Sequence, residues 1–274
     1  MIEALQLEFM RNAIIAGCFA SLICGVIGTF VVVNRLVFLA GGIAHASYGG
    51  IGLAFFFGIP YLLGTLGFSL LAAMIMTAVV LKSKHRADTF IGIIWAVGMA
   101  TGIILLDKTP GYNVNLMSYL FGSILAVPNS DLWWMLGLSI ITVLSAGFFY
   151  RDLLAISYDD EFARLRGVSV NLIYFLFIGL IAVSIVIIIR VVGLILVIAL
   201  LTIPPYIAEK YSRSLVMMMA LSTILAVLFN LTGLWLAYIY NLTSGATIIL
   251  VAAAGFFLSM GIDVLLKKKK MDMQ

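Results

Sequence analysis

A lone histidine stands in an unusually glycine-rich stretch, Ala40-Gly41-Gly42-Ile43-Ala44-His45-Ala46-Ser47-Tyr48-Gly49-Gly50-Ile51-Gly52. An imidazole offers one nitrogen to a cation and titrates near neutral pH. Set among apolar residues, His45 needs either a hydrogen-bond partner on a neighbouring helix or a water-filled passage. Both readings are open from the residues alone. The five glycines in these 13 residues each weaken a helix in water by about 1 kcal/mol against alanine. They also let backbones approach closely, or let a helix unwind where protein or a cavity satisfies its amides.

Few other side chains can do chemistry. Cys18 and Cys24 share one apolar run, where such residues are expected to pack as small hydrophobes rather than form a disulfide or metal site. His85 lies between Lys84 and Arg86 and is expected in a solvated loop. Thr202-Ile203-Pro204-Pro205 removes two amide donors in a row, so a helix is expected to kink or end there. Such a break either exposes carbonyls to a central cavity or serves packing alone.

The elements that hold these groups follow from composition. Apolar residues make up 64% of the 274 and charged residues 10%, and mean hydropathy is +1.21. A soluble domain carries roughly a quarter charged residues, so that class is excluded. A hydrocarbon layer about 30 Å thick takes about 20 helical residues to cross. Nine runs approach that length, near 12–33, 36–58, 60–81, 89–106, 132–150, 171–189, 191–208, 214–231 and 245–265. The expectation is an all-α polytopic membrane protein, a single transmembrane domain over residues 1–274 with about nine spans.

Charge orients it. With the N-terminus outside, Arg35, Lys82, Lys84, Arg86, Arg151, Arg164, Arg166, Lys210, Arg213 and Lys267 to Lys270 face the cytoplasm, against Arg11, Lys108 and Arg190 outside. Short basic loops resist translocation, so this orientation is expected and its reverse rejected. The same placement explains the net charge of +4 without nucleic acid. The lysine tail is expected to anchor at headgroups. The N-terminus lacks a basic lead and a small-residue cleavage site, so no removable signal is expected.

Two shorter segments stand apart. Residues 115–127 are apolar but too short to cross, which predicts an external interfacial or re-entrant helix ended near Pro128. Ser157-Tyr158-Asp159-Asp160-Glu161-Phe162-Ala163-Arg164-Leu165-Arg166-Gly167 reads as a short capped helix. Ser157 or Asp159 caps it, acids favour its first turn, arginines its end, and Gly167 stops it. It either transmits force from a soluble partner or lies idle at the interface. No Gly-x-x-x-x-Gly-Lys-Ser/Thr loop occurs, so ATP-driven transport would need another polypeptide to hydrolyse ATP.

Six blocks in order give a resemblance. They are Val32-Val33-Asn34-Arg35-Leu36-Val37-Phe38 with Ile43-Ala44-His45-Ala46, Asp88-Thr89-Phe90-Ile91-Gly92-Ile93, and Tyr119-Leu120-Phe121-Gly122-Ser123-Ile124-Leu125. The others are the capped helix from Tyr158 to Gly167, Arg190-Val191-Val192-Gly193 through Ile203-Pro204, and Leu242-Thr243-Ser244-Gly245-Ala246-Thr247. The chain resembles the membrane permease of the ATP-binding-cassette importers of zinc, manganese or iron.

That resemblance implies a type II importer fold and a transport subunit rather than an enzyme. It also implies a second copy of the chain, two cytoplasmic ATPase subunits that hold the ATP, and an extracytoplasmic solute-binding protein. No cofactor would be bound by this chain; a divalent metal would be its cargo. Tyr158, Asp159, Asp160, Glu161, Phe162, Ala163, Arg164, Leu165 and Gly167 would form the coupling helix that seats in the ATPase. Gly41, Gly42, His45, Ser47, Gly49, Pro204 and Pro205 would line the path, with His45 the candidate metal ligand.

One departure stands out. The family usually has Gly-Asp-Ala-Ile-Ser-His where this chain has Gly41-Gly42-Ile43-Ala44-His45, so a carboxylate is missing. Either the pore passes an ion held transiently by His45, carbonyls and water, or the passage admits a small organic or chelated molecule. A proton- or sodium-driven carrier is a third class. It would want a buried acid in a span, and only Asp263 and Glu209 come near that position.

Overall fold

The computed structural model describes residues 7–82, 86–110, 122 and 124–271. Apolar runs of spanning length become helices, because no other open structure satisfies backbone amides in lipid. In chain order these are α1 (Glu8–Val33), α2 (Val37–Phe57), α3 (Tyr61–Lys82) and α4 (Ala87–Asp107). After a 3₁₀ turn at Ile124–Ala126 come α5 (Asn129–Phe148), α6 (Tyr150–Tyr158) and α7 (Asp160–Leu165). The chain closes with α8 (Val170–Val192), α9 (Leu194–Tyr211), α10 (Leu215–Tyr240) and α11 (Ser244–Met271). Among the described residues, all but α6 and α7 are long and apolar enough to cross a bilayer, which gives nine spans.

Successive spans run in opposite directions, so each end of the bundle gathers alternate termini. One end holds the start of α1, where Asn12 Nδ2 donates to Val127 O (3.2 Å) and Asn129 Oδ1 (2.9 Å). There Arg190 closes α8 and pairs with Asp131 of α5 at 3.0 Å. The other end holds the turn between α1 and α2, where Asn34 Nδ2 donates to Ser157 Oγ at 3.0 Å. It also holds Lys210 of α9 paired with Asp263 of α11 at 2.8 Å. Among the described basic residues, Arg11, Lys108 and Arg190 lie at the first end and the rest at the second.

Helix α1 runs through the middle, packed against α5, α9 and α10. Its Ala13, Ala16, Ala20, Ile23 and Ile27 join Ile181 and Ile185 of α8 and Leu196 and Leu200 of α9 in the main core. Helix α2 is wedged between α3 and α4.

Several expectations need correction. The sixth and seventh spans, expected to part near residue 190, part at Gly193, and the proline pair does not end the helix. Gly193 has φ 86° and ψ 161°, a region open to glycine alone, and it joins α8 directly to α9. Pro204 and Pro205 lie inside α9, which continues to Tyr211. The Pro205 ring fills a notch left by Gly28 of α1, whose Cβ would lie 2.8 Å from the ring and 2.6 Å from Leu201 O. The last span, expected over 245–265, falls at Ser244–Val264, and its helix α11 continues through the lysines to Met271. The fifth span ends at Phe148, and a separate helix, α6, follows it. The predicted external helix lies mostly outside the described residues, as does His85. Ile124–Ala126 form a 3₁₀ turn, and Gly122 abuts the Val192–Gly193 junction.

Candidate functional site

His45 lies on α2 roughly 12 Å along from the helix's first residue at 1.5 Å per residue, so it sits well inside a 30 Å layer. Its ring stacks on Trp95 of α4, centroids 4.1 Å apart and planes 14° from parallel. Trp95 itself donates Nε1–H to Met99 Sδ at 3.1 Å. His45 Nδ1 is buried and has no hydrogen-bond partner. The bond to a neighbouring helix that one reading requires is therefore not made at that atom. A buried polar atom without a partner is costly, and six other side-chain atoms among the described residues share that state.

The glycines around it divide into two kinds. A Cβ at Gly41 would meet nothing within 4 Å, so the face shared by Gly41 and half-exposed His45 opens away from the chain. Elsewhere the glycines are contact points. A Cβ on Gly42 would lie 2.5 Å from Ile91 Cγ2, and on Gly49 2.7 Å from the Phe68 ring and 2.9 Å from Gly98 O. A Cβ on Gly52 would lie 2.5 Å from Gly102 O, and one on Gly50 2.7 Å from Thr65 Cα. These glycines set the distance of α2 from α3 and α4. Ser47 is fully buried, and its Oγ donates to Ala44 O at 2.6 Å. Pro204 and Pro205 are buried in the α9 interior.

No group of three or more His, Cys, Asp or Glu converges among the described residues. The described residues thus present a single imidazole, and further ligands would have to come from elsewhere. Cys18 and Cys24 are both free thiols, Cys24 fully enclosed. The buried Asp131 pairs with Arg190, and Asp263 pairs with Lys210. Each thus has a cation at a bundle end, unlike the lone acid that a proton-coupled carrier would want in mid-span.

The capped segment is α7. Asp159, extended at φ −159°, accepts from Glu161 N (2.9 Å) and Phe162 N (3.1 Å), so Asp159 rather than Ser157 is the cap. Asp160 and Glu161 occupy the first turn. Gly167 ends the segment at φ 83°, with Gly167 N bonded to Arg164 O and Val168 N to Ala163 O. Ala163 is fully buried against the helices behind it, whereas Tyr158 is 86%, Phe162 50% and Leu165 87% exposed. Arg166 lies over the Phe162 ring at 4.9 Å, and Arg164 donates to Asn171 Oδ1 at 2.8 Å. The result is an apolar knob on a rigid base.

Sequence reasoning missed α6 and what it does. Leu153 and Ile156 bury its inner face, and Ser157 ties its end to Asn34 beside α2. The i, i+3 spacing of Leu153 and Ile156 beside Arg151 and Asp152 was the available signal. Trp95, the ring that holds His45, had no local signal.

Comparison with known proteins follows this geometry closely. The model of the ABC 3 transport family matches residues 6–263. An uncharacterized membrane protein of Synechocystis sp. is 48% identical over 260 residues, covering 95% of this chain and 92% of its own. The manganese import system permease protein ScaB of Streptococcus parasanguinis is 32% identical over 265 residues, covering 97% and 94%. Among solved structures, PsaBC from Streptococcus pneumoniae in complex with Fab is similar with a TM-score of 0.84 at 32% identity, covering 94% of this chain and 93% of that one.

Proposed function

The chain belongs to the ABC 3 transport family, and from that membership we propose that it is the membrane-spanning subunit of an ATP-driven importer of divalent metal ions, manganese or zinc. The observation that carries this proposal is α7, a capped helix with its apolar side chains turned outward at the basic end. Large exposed apolar groups on a rigid base suit a protein partner. The metal cargo is supported by the manganese permease relative.

In the assembled transporter a second copy of this chain completes the pore, two ATPase subunits seat on α6 and α7 from the cytoplasm, and a solute-binding protein delivers cargo from outside. The protein is a multi-pass protein of the cytoplasmic membrane. Its N-terminus faces out and its lysine-rich C-terminus faces in, as the basic residues favour.

ATP-driven closure of the ATPases moves α7 and α6. The Ser157–Asn34 bond passes that motion to the turn before α2, and hence to His45. His45 and Gly41 border the path. Gly42, Ser47, Gly49, Pro204 and Pro205 form its supporting wall, holding α2 and α9 in position rather than touching the ion. A neutral imidazole suits manganese or zinc as one transient ligand, with carbonyls and water completing the shell. Few permanent ligands suit passage, because conduction needs weak sites.

Proteoliposomes holding the complete complex test the cargo. Uptake of labelled manganese is expected to be blocked by excess manganese or zinc and not by vitamins or metal chelates; the opposite pattern refutes the metal assignment. In the same vesicles His45→Ala is expected to lower uptake roughly tenfold while the binding protein keeps its affinity. Uptake at the unsubstituted rate would remove His45 from the path.

A further inference from the structure

Beside α7, and apart from the path, a groove of about 370 Å³ opens between the end of α3 and the start of α8. Ala78 and Leu81 of α3 and Phe175 of α8 make its floor; Lys82, Arg164 and Asn171 make its rim. Lys82 is the last residue of α3 and Asn171 the second of α8. The rim therefore lies where two spanning helices leave the apolar layer, at the depth of lipid headgroups. Arg164 donates to Asn171 Oδ1 at 2.8 Å, which holds the guanidinium over the groove. A guanidinium carries five donors, so this bond leaves capacity for an anion.

We propose that this groove binds an anionic phospholipid, its phosphodiester between Lys82 and Arg164 and the first part of an acyl chain on Ala78, Leu81 and Phe175. Two cations over an apolar floor complement a molecule that is anionic at one end and apolar at the other. A soluble phosphate would leave the floor uncovered, and a neutral headgroup would leave the net positive rim unmatched. At about 30 Å³ per water, the groove has room for a phosphate and a glycerol. Asp160 and Glu161 stand on the first turn of α7 and are not part of the lining. A lipid seated here would brace α7 against α3 and α8. The site stands whatever the cargo is.

Native mass spectrometry of the full complex, released from vesicles of equal phosphatidylglycerol and phosphatidylcholine, tests it. The unsubstituted protein is expected to retain phosphatidylglycerol in preference. Lys82→Gln with Arg164→Gln is expected to cut that preference roughly tenfold. Leu81→Trp keeps both charges but fills the floor, and is expected to reduce retention as well. Replacing Lys267 to Lys270 with glutamine is expected to leave it unchanged. Equal retention by the double variant, equal retention of phosphatidylcholine, loss with the tail lysines, or retention of inorganic phosphate alone would each overturn the proposal. So would loss of ATPase co-purification in the double variant with lipid retention intact, which would make the groove a protein contact.

Discussion

Phe162→Asp is expected to abolish ATP-driven uptake while leaving the protein inserted and folded. Phe162 is half exposed at the outer face of α7, whereas Ala163 beside it carries the packing against the bundle. The substitution therefore removes contact area from a partner and little from the protein's own core. It also sets a carboxylate beside Glu161 and takes the ring from under Arg166. A buried aromatic anchor at a protein interface is worth about 2 kcal/mol or more, about thirtyfold in affinity. A desolvated carboxylate in an apolar groove adds further cost. The measurement is ATP hydrolysis and uptake in reconstituted complex, with membrane insertion checked by extraction. Uptake at the unsubstituted rate would show that α7 is an idle surface helix. Loss of insertion would show that Phe162 serves the fold.

The spans and α7 were legible because their signals are local. Run length alone decides whether a helix crosses a bilayer, and Asp159, the acids after it and Gly167 all lie within nine residues. The role of the glycines was not legible. A glycine that opens a passage and one that closes a helix contact have the same composition around them. Gly52 meets Gly102, and Gly28 meets Pro205; neither partner is near in sequence. The proline pair was read as a kink or an end, and α9 runs on past it to Tyr211; the Gly28 surface of α1 that meets the Pro205 ring is distant in sequence. Arg190 marked the reversal between two spans, which falls three residues later at Gly193, a glycine whose own neighbours are apolar.

The contrast among glycines yields the second large effect. Gly52→Val is expected to disrupt the domain, because its Cβ would lie 2.5 Å from Gly102 O and 2.7 Å from Gly102 Cα. Backbone cannot swing aside as a flexible side chain can, so α2 and α4 must separate along their contact. Overpacking in a dense interior costs about 1–3 kcal/mol, and here the branched side chain would meet backbone, at the upper end of that range. Separation would also draw Trp95 of α4 away from the His45 ring on α2. Gly41→Ala is expected to do the reverse to stability. Nothing lies within 4 Å of its Cβ, and alanine favours a helix over glycine by about 1 kcal/mol. If Gly41 borders the path beside His45, the added methyl narrows it, so uptake falls although the protein melts at a higher temperature. Thermal unfolding in detergent and metal uptake in vesicles separate the two variants. A Gly52→Val protein as stable as the parent would refute the close α2–α4 contact. A Gly41→Ala protein with full uptake would place the path elsewhere than on this face of α2.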